Sequence, residues 1–206
     1  MKTAQKGRSM VEMLGVLAII GILSAGALAG YSKAMYKIKI NKLIEQISTI
    51  AMNVQTLVEA DIQKSLSENW FSENRLTGGF IPSEMIRDGK IWTPFQNEVY
   101  VNSTTIGDEG ISFLLLDIKN VSPQVCVDLS SINWKDLDVS TVWMGDDVLM
   151  AYACTNSREE QAEEYAVCAA GNEVKIPVPM DIASKVCQTC KEECYFSLFW
   201  NFGKEL

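Results

Sequence analysis

Histidine is missing from all 206 residues. Its absence excludes Ser-His-Asp and Cys-His catalysis, His-containing zinc sites and the usual proton shuttle near neutral pH. No catalytic residue, resident metal or cofactor is expected, and the composition leans away from an enzyme. Proline is sparse and late. None of the five precedes Pro82, so no proline breaks a helix in the first part of the chain. Charge is scarcest where the chain is most apolar, because Glu12 is the one charged residue between Met10 and Gly30. No internal repeat or low-complexity linker interrupts the sequence. At this length, that leaves one modest domain plus an appendage, not two full cores.

What charge there is lies unevenly. Residues 1–42 hold seven basic side chains (Lys2, Lys6, Arg8, Lys33, Lys37, Lys39, Lys42) against one acid, a net of +6. The whole chain carries −8, so residues 43–206 carry −14. An acidic body of that size repels polyanions, and nucleic acid is not an expected partner. The basic residues flank the apolar run on both sides, as in a segment anchored at two headgroup layers.

Order matters at the N-terminus. A secretory signal peptide has its apolar stretch before the cleavage site. Here a short basic stretch ends in the small residue Gly7 ahead of the apolar run, so a cut there leaves the run on the mature protein. The run from Met13 to Gly30 is about long enough to cross a bilayer. It is rich in Gly, Ala and Ser, and Gly26 and Gly30 form a small-xxx-small pair of the kind that lets helices approach closely in lipid. The same glycines also suit simple tolerance in a membrane helix.

Helical periodicity continues beyond Tyr31. Met35, Ile38, Leu43, Ile47, Ile50, Val54, Leu57, Val58, Ile62 and Leu66 recur at helical spacing among Lys, Glu, Gln and Asn. A continuous helix from about Ser9 to Ser67 would be roughly 90 Å long. Its first half must project, and its second half can serve as a spine.

Shorter elements follow. Thr77-Gly78-Gly79 and Asp88-Gly89 are turn signals, and Pro82–Ile86 reads as one helical turn. Glu98–Val101 and the apolar Ile111–Ile118 read as strands, the latter central. Ser122-Pro123 opens a short helix to about Ile132. Ser140–Met144 and Val148–Ala153 pair across Gly145-Asp146-Asp147. Ser157–Ala170 is acidic and helical, Pro179–Thr189 is another short helix, and Tyr195–Phe202 is a terminal strand. Helix first, then mostly antiparallel strands with helices between them, is an α+β fold.

The segment Lys6-Gly7-Arg8-Ser9-Met10-Val11-Glu12-Met13-Leu14, followed by an apolar run, closely resembles the prepilin-peptidase signature of type IV pilins and pseudopilins. That family has a basic leader ending in glycine, a glutamate five residues on, and a transmembrane helix kept by the mature subunit; Gly7 and Glu12 match that spacing. The resemblance implies cleavage between Gly7 and Arg8 and methylation of the new amine. Arg8 departs from the family's usual Phe, Met or other apolar residue, which bears on methylation more than on cleavage. A carboxylate near the start of a membrane helix is costly and needs a partner. In a staggered bundle, the free amine at Arg8 of a neighbouring subunit supplies it and fixes register. The alternative role for Glu12 is to sit at the interface and favour the helix dipole.

A looser likeness to type IVb pilins, including those of conjugative thin pili, extends into the rest of the chain. It rests on Phe80-Ile81-Pro82, Met85, Lys90–Phe95 and Val99–Val101 as the loop-and-strand region. Ile111–Leu116 and Val125–Leu129 match the central strand and the short helix bearing a first disulfide cysteine. Ala183–Cys187 before Phe196–Phe202 matches the second cysteine and closing strand.

All six cysteines (Cys126, Cys154, Cys168, Cys187, Cys190, Cys194) lie beyond the apolar run. An even number confined to the translocated part favours disulfides. Cys187-Gln-Thr-Cys190 is a CxxC, but neither a thioredoxin-like setting nor a second knuckle for zinc accompanies it. Cys126 is expected to pair with Cys187 or Cys190, Cys154 with Cys168, and Cys194 with the remaining thiol. Glu159-Glu160, Glu163-Glu164 and Asp146-Asp147 lack the alternating spacing of a calcium loop and read as a solvated acidic face. Tyr195, Phe196, Phe199, Trp200 and Phe202 read as core, with one alternating face buried by the spine helix.

The expected organisation is a leader over 1–7, a transmembrane and polymerisation segment over 8–30, an amphipathic spine over 31–68, and a disulfide-stapled α+β head over 69–206. The expected function is a non-enzymatic structural subunit of a type IV pilus-like filament for adhesion, motility or conjugation. Its expected partners are other copies of itself, prepilin peptidase, the pilus assembly machinery and the inner membrane before assembly. The head is extracytoplasmic, and the assembled filament is extracellular or periplasmic. The rivals are a minor pilin or pseudopilin of a secretion or competence system, and a signal-anchored extracytoplasmic binding protein or thiol enzyme.

Overall fold

A computed structural model describes residues 10–60, 76–106, 111–145, 150–154, 174–189 and 194–201. Its longest element is helix α1, Met10–Ala60, 51 residues without a break. With no proline to remove a hydrogen bond, the apolar run and the amphipathic stretch form one helix. Residues 61–68 of the expected spine lie outside the described residues.

The chain divides into two compact units, Met1–Asn41 and Lys42–Leu206. The first contains the apolar part of α1. In the second, α1 turns one face inward: Leu43, Ile47, Ile50 and Val54 are each 1% exposed or less, at helical spacing. Asn53 Nδ2 donates to the Phe80 carbonyl at 3.2 Å, tying that helix to the loop ahead of the sheet. Ile38, expected on the same stripe, is 58% exposed. Its place on the helix precedes the second unit.

Eight strands form one sheet in the order β1-β2-β3-β4-β8-β5-β6-β7. They are β1 Ile86–Arg87, β2 Lys90–Trp92, β3 Glu98–Ile106, β4 Ile111–Ile118, β5 Val139–Gly145, β6 Met150–Cys154, β7 Val174–Lys175 and β8 Tyr195–Asn201. Every pairing is antiparallel except β6 with β7. Asp88 (φ 52°) and Gly89 (φ 71°) turn the chain between β1 and β2, as a two-residue hairpin of Asp-Gly type requires. The segment after Pro82 is a single 3-10 turn, Ser83–Met85.

β8 is last in sequence but lies between β4 and β5, in the middle of the sheet. Its even positions Phe196, Leu198 and Trp200 are buried with Leu114, Leu116 and Ile118 of β4 and Val142 and Met144 of β5. Among the described residues, two short α-helices, α2 Pro123–Ser130 and α3 Met180–Thr189, join the sheet in the α+β fold. Ser122 caps α2, its side chain accepting from the Val125 amide, with proline in the first turn where a missing N–H costs nothing. Buried Trp134 donates its indole N–H to the Leu129 carbonyl at 2.8 Å, so its ring enters the core with its polar atom satisfied.

The expected alternating buried face of the last strand is present, but not every aromatic read as core is on it. Phe196 and Trp200 are core, but Tyr195 and Phe199 are only half-buried on the opposite face. The cause is the two-residue period of a strand, which cannot send positions 195 and 196 the same way. Phe202 lies outside the described residues.

Candidate assembly helix

The part of α1 from Met10 to Leu28 is apolar on every side. Eleven large apolar residues there (Met10, Val11, Met13, Leu14, Val16, Leu17, Ile19, Ile20, Ile22, Leu23 and Leu28) are between 53% and 86% exposed. At a hundred degrees per residue, Met10, Leu14, Val11, Ile19, Val16 and Ile20 point around the whole circumference. A soluble helix keeps one polar face, and a helix apolar all round must be covered by lipid or by other helices. At about 2 kcal/mol per side chain, covering these residues is worth on the order of 20 kcal/mol. The helix is long and apolar enough to cross a membrane, and none of its apolar window is buried within the chain.

Glycine placement adds to this. A Cβ at Gly15, Gly21, Gly26 or Gly30 would meet nothing within 4 Å. No contact inside the chain therefore requires glycine there, although each costs about 1 kcal/mol of helix stability relative to alanine. Any packing demand on these positions comes from outside the chain.

Glu12 lies in the first turn of α1, where a carboxylate favours the helix dipole. Gly7 and Arg8 lie outside the described residues, so the cleavage point has no structural description.

The cysteines resolve in part. Cys126 of α2 is bonded to Cys187 of α3, with Cα atoms 5.8 Å apart and a sequence separation of 61. Both are fully buried. Of the two partners open for Cys126, the bond is to Cys187. The CxxC is thus not closed on itself, and Cys187 has no free thiolate for exchange or for zinc. Cys194 is also in a disulfide and is 3% exposed. Cys168, Cys190 and the side chain of Cys154 lie outside the described residues, as do Asp146-Asp147 and the acidic stretch 157–170.

No known protein family matches the chain in comparison, and no curated protein matches it either.

Proposed function

We propose that this chain is a structural subunit of a type IV pilus-like filament, trimmed after Gly7 and assembled through the N-terminal half of α1. The observation that carries the proposal is the change of character along α1. It is apolar on every face up to Leu28, then amphipathic, with one face buried in an α+β head. A plain membrane anchor needs only the first property. A polymerising spine needs both, because the segment that leaves the bilayer must be re-covered by neighbouring copies. The spacing of Gly7 and Glu12 ahead of that segment supports the same reading.

In this reading the head is scaffold, not catalyst. Loss of histidine from the whole sequence and consumption of Cys187 by Cys126 both support it. The bond argues against the thiol-enzyme rival, since a CxxC needs both thiols available to cycle. The subunit first sits in the inner membrane with its head outside the cytoplasm, and then in an extracellular or periplasmic filament.

Co-expression with a prepilin peptidase tests the processing step. Intact-mass measurement is expected to show loss of the first seven residues, and Gly7→Val is expected to retain them. A parent chain that keeps its leader in the presence of active peptidase contradicts the proposal.

A further inference from the structure

The face of the sheet opposite the core carries a feature that assembly through α1 does not use. Register across β3, β4, β8 and β5 sets Tyr100, Asp117, Ser197 and Trp143 in one row. On one side of that row Leu115 lies beside Phe199, and on the other Tyr195 stands opposite Gly145, which has no side chain to fill the space there. Trp143, Tyr195, Phe199 and Leu115 wall a groove of about 200 Å³, with Asp117 and Ser197 in its lining. The Trp143 and Phe199 rings, with centroids 4.3 Å apart and inclined at 46°, make one continuous wall.

Asp117 is out of place in such surroundings. Ser197 Oγ donates to its Oδ1 at 2.7 Å, the one side-chain hydrogen bond to it among the described residues. Lys119, just past the end of β4 and two positions on from Asp117, is not in direct ion-pair contact with it. Its ammonium sits 4.2 Å from the centroid of the Tyr100 ring. Burial pushes the Asp117 carboxyl above the ordinary carboxylate range, against the pull of the Ser197 bond and the more distant Lys119 charge. A carboxylate kept among aromatic rings with so little compensation weakens the fold, and a cation placed beside it reverses that cost.

We propose that this groove binds a quaternary ammonium group of a small free solute, held by the charge of Asp117 and the rings of Trp143, Tyr195 and Phe199. Aromatic faces attract cations through their quadrupoles, most strongly where water is displaced. Hydrogen-bonding needs select the class of cation. A primary ammonium or a guanidinium brings several N–H donors, and the groove offers chiefly one carboxylate that already accepts from Ser197. A quaternary ammonium brings no N–H donors and leaves none unsatisfied. Size agrees, since an apolar cavity of about 150 Å³ holds benzene and trimethylammonium is no larger. The inference stands or falls separately from polymerisation.

The test is titration calorimetry of the full chain in uncharged maltoside micelles, which contain no choline headgroup. The probes are choline, tetramethylammonium, phosphocholine, n-butylammonium and dimethylbutanol, the neutral carbon analogue of choline. Choline and tetramethylammonium are expected to bind in the millimolar range or tighter. The neutral analogue should bind roughly thirtyfold more weakly, the worth of one desolvated cation–π contact. Asp117→Asn, with unchanged near-ultraviolet circular dichroism, should weaken choline by a similar factor and leave the neutral analogue unaffected. Equal affinity for choline and its neutral analogue in the parent chain overturns the proposal, and so does absence of binding. n-Butylammonium binding as tightly as tetramethylammonium makes the groove a lysine socket instead. Phosphocholine binding more tightly than choline makes it a lipid-headgroup site.

Discussion

Replacing Cys126 and Cys187 together by alanine removes the bond between α2 and α3 and is the sharpest test of how the head is held together. The bond closes 61 residues, and the chain-entropy relation gives about 4 kcal/mol for a loop of that length. Both side chains are fully buried, so the missing sulfur atoms add about 1 kcal/mol of lost packing. For a unit of this size, 1 kcal/mol lowers Tm by roughly 2–4 °C. The double variant is therefore expected to melt roughly 10–20 °C below the parent. Circular dichroism melts of the full chain in maltoside micelles measure this. The double variant is preferable to a reductant, which would also open the bridge at Cys194. A fall of less than about 3 °C would refute the reasoning, because the unfolded chain would then gain little freedom from losing the bond.

Three further outcomes follow from the packing and charge. Ile50→Ala empties a site with no exposure on the buried face of α1; it should cost about 3 kcal/mol in urea unfolding, and a cost under about 1 kcal/mol would mean that the spine is not core. The folded chain holds the Asp117 proton to higher pH than the unfolded chain does, so stability from this group declines as pH rises through its elevated folded value. Asp117→Asn keeps an acceptor for Ser197 and should be more stable than the parent at neutral pH, with the advantage vanishing in acid; a variant less stable at neutral pH contradicts this. A Cβ at Gly26 or Gly30 meets nothing within 4 Å inside the chain, so Gly26→Val with Gly30→Val should leave head melting unchanged while filament yield falls. Normal filaments from that variant would show that close helix approach at these glycines is not needed.

Much of this fold was legible where local chemistry decides structure. Asp88-Gly89 needs positive φ at both positions, which those residues adopt readily, and it forms the hairpin. Ser122-Pro123 supplies a cap and a first-turn proline, and the helix starts there. Ile111–Ile118 is continuous enough to be a central strand and is one. Long-range pairing was less visible. β3 runs on to Ile106 through Asn102, Ser103 and Thr104, polar residues that local pattern assigns to a loop but that pair with β4. β7 is two residues long and exists through its parallel partner β6. Nothing local places the last strand between β4 and β5.

The apolar half of α1 was the most legible part, since an apolar run needs no partner in sequence to declare itself. The groove was the least. Asp117 and Ser197 are 80 residues apart and meet only once β4 and β8 are in register. The available signal was an acid inside the apolar run Ile111–Ile118 and a serine inside the aromatic run Tyr195–Asn201. Each is a polar residue on the strand face that alternation turns away from the core.

In the proposed function, this chain leaves the membrane as a trimmed, polymerised subunit. Mass spectrometry of filaments sheared from the cell surface tests it most directly. The account predicts abundant chain whose mature N-terminus is Arg8. Sheared filaments that lack the chain, while the membrane holds it with its leader intact, would contradict the account.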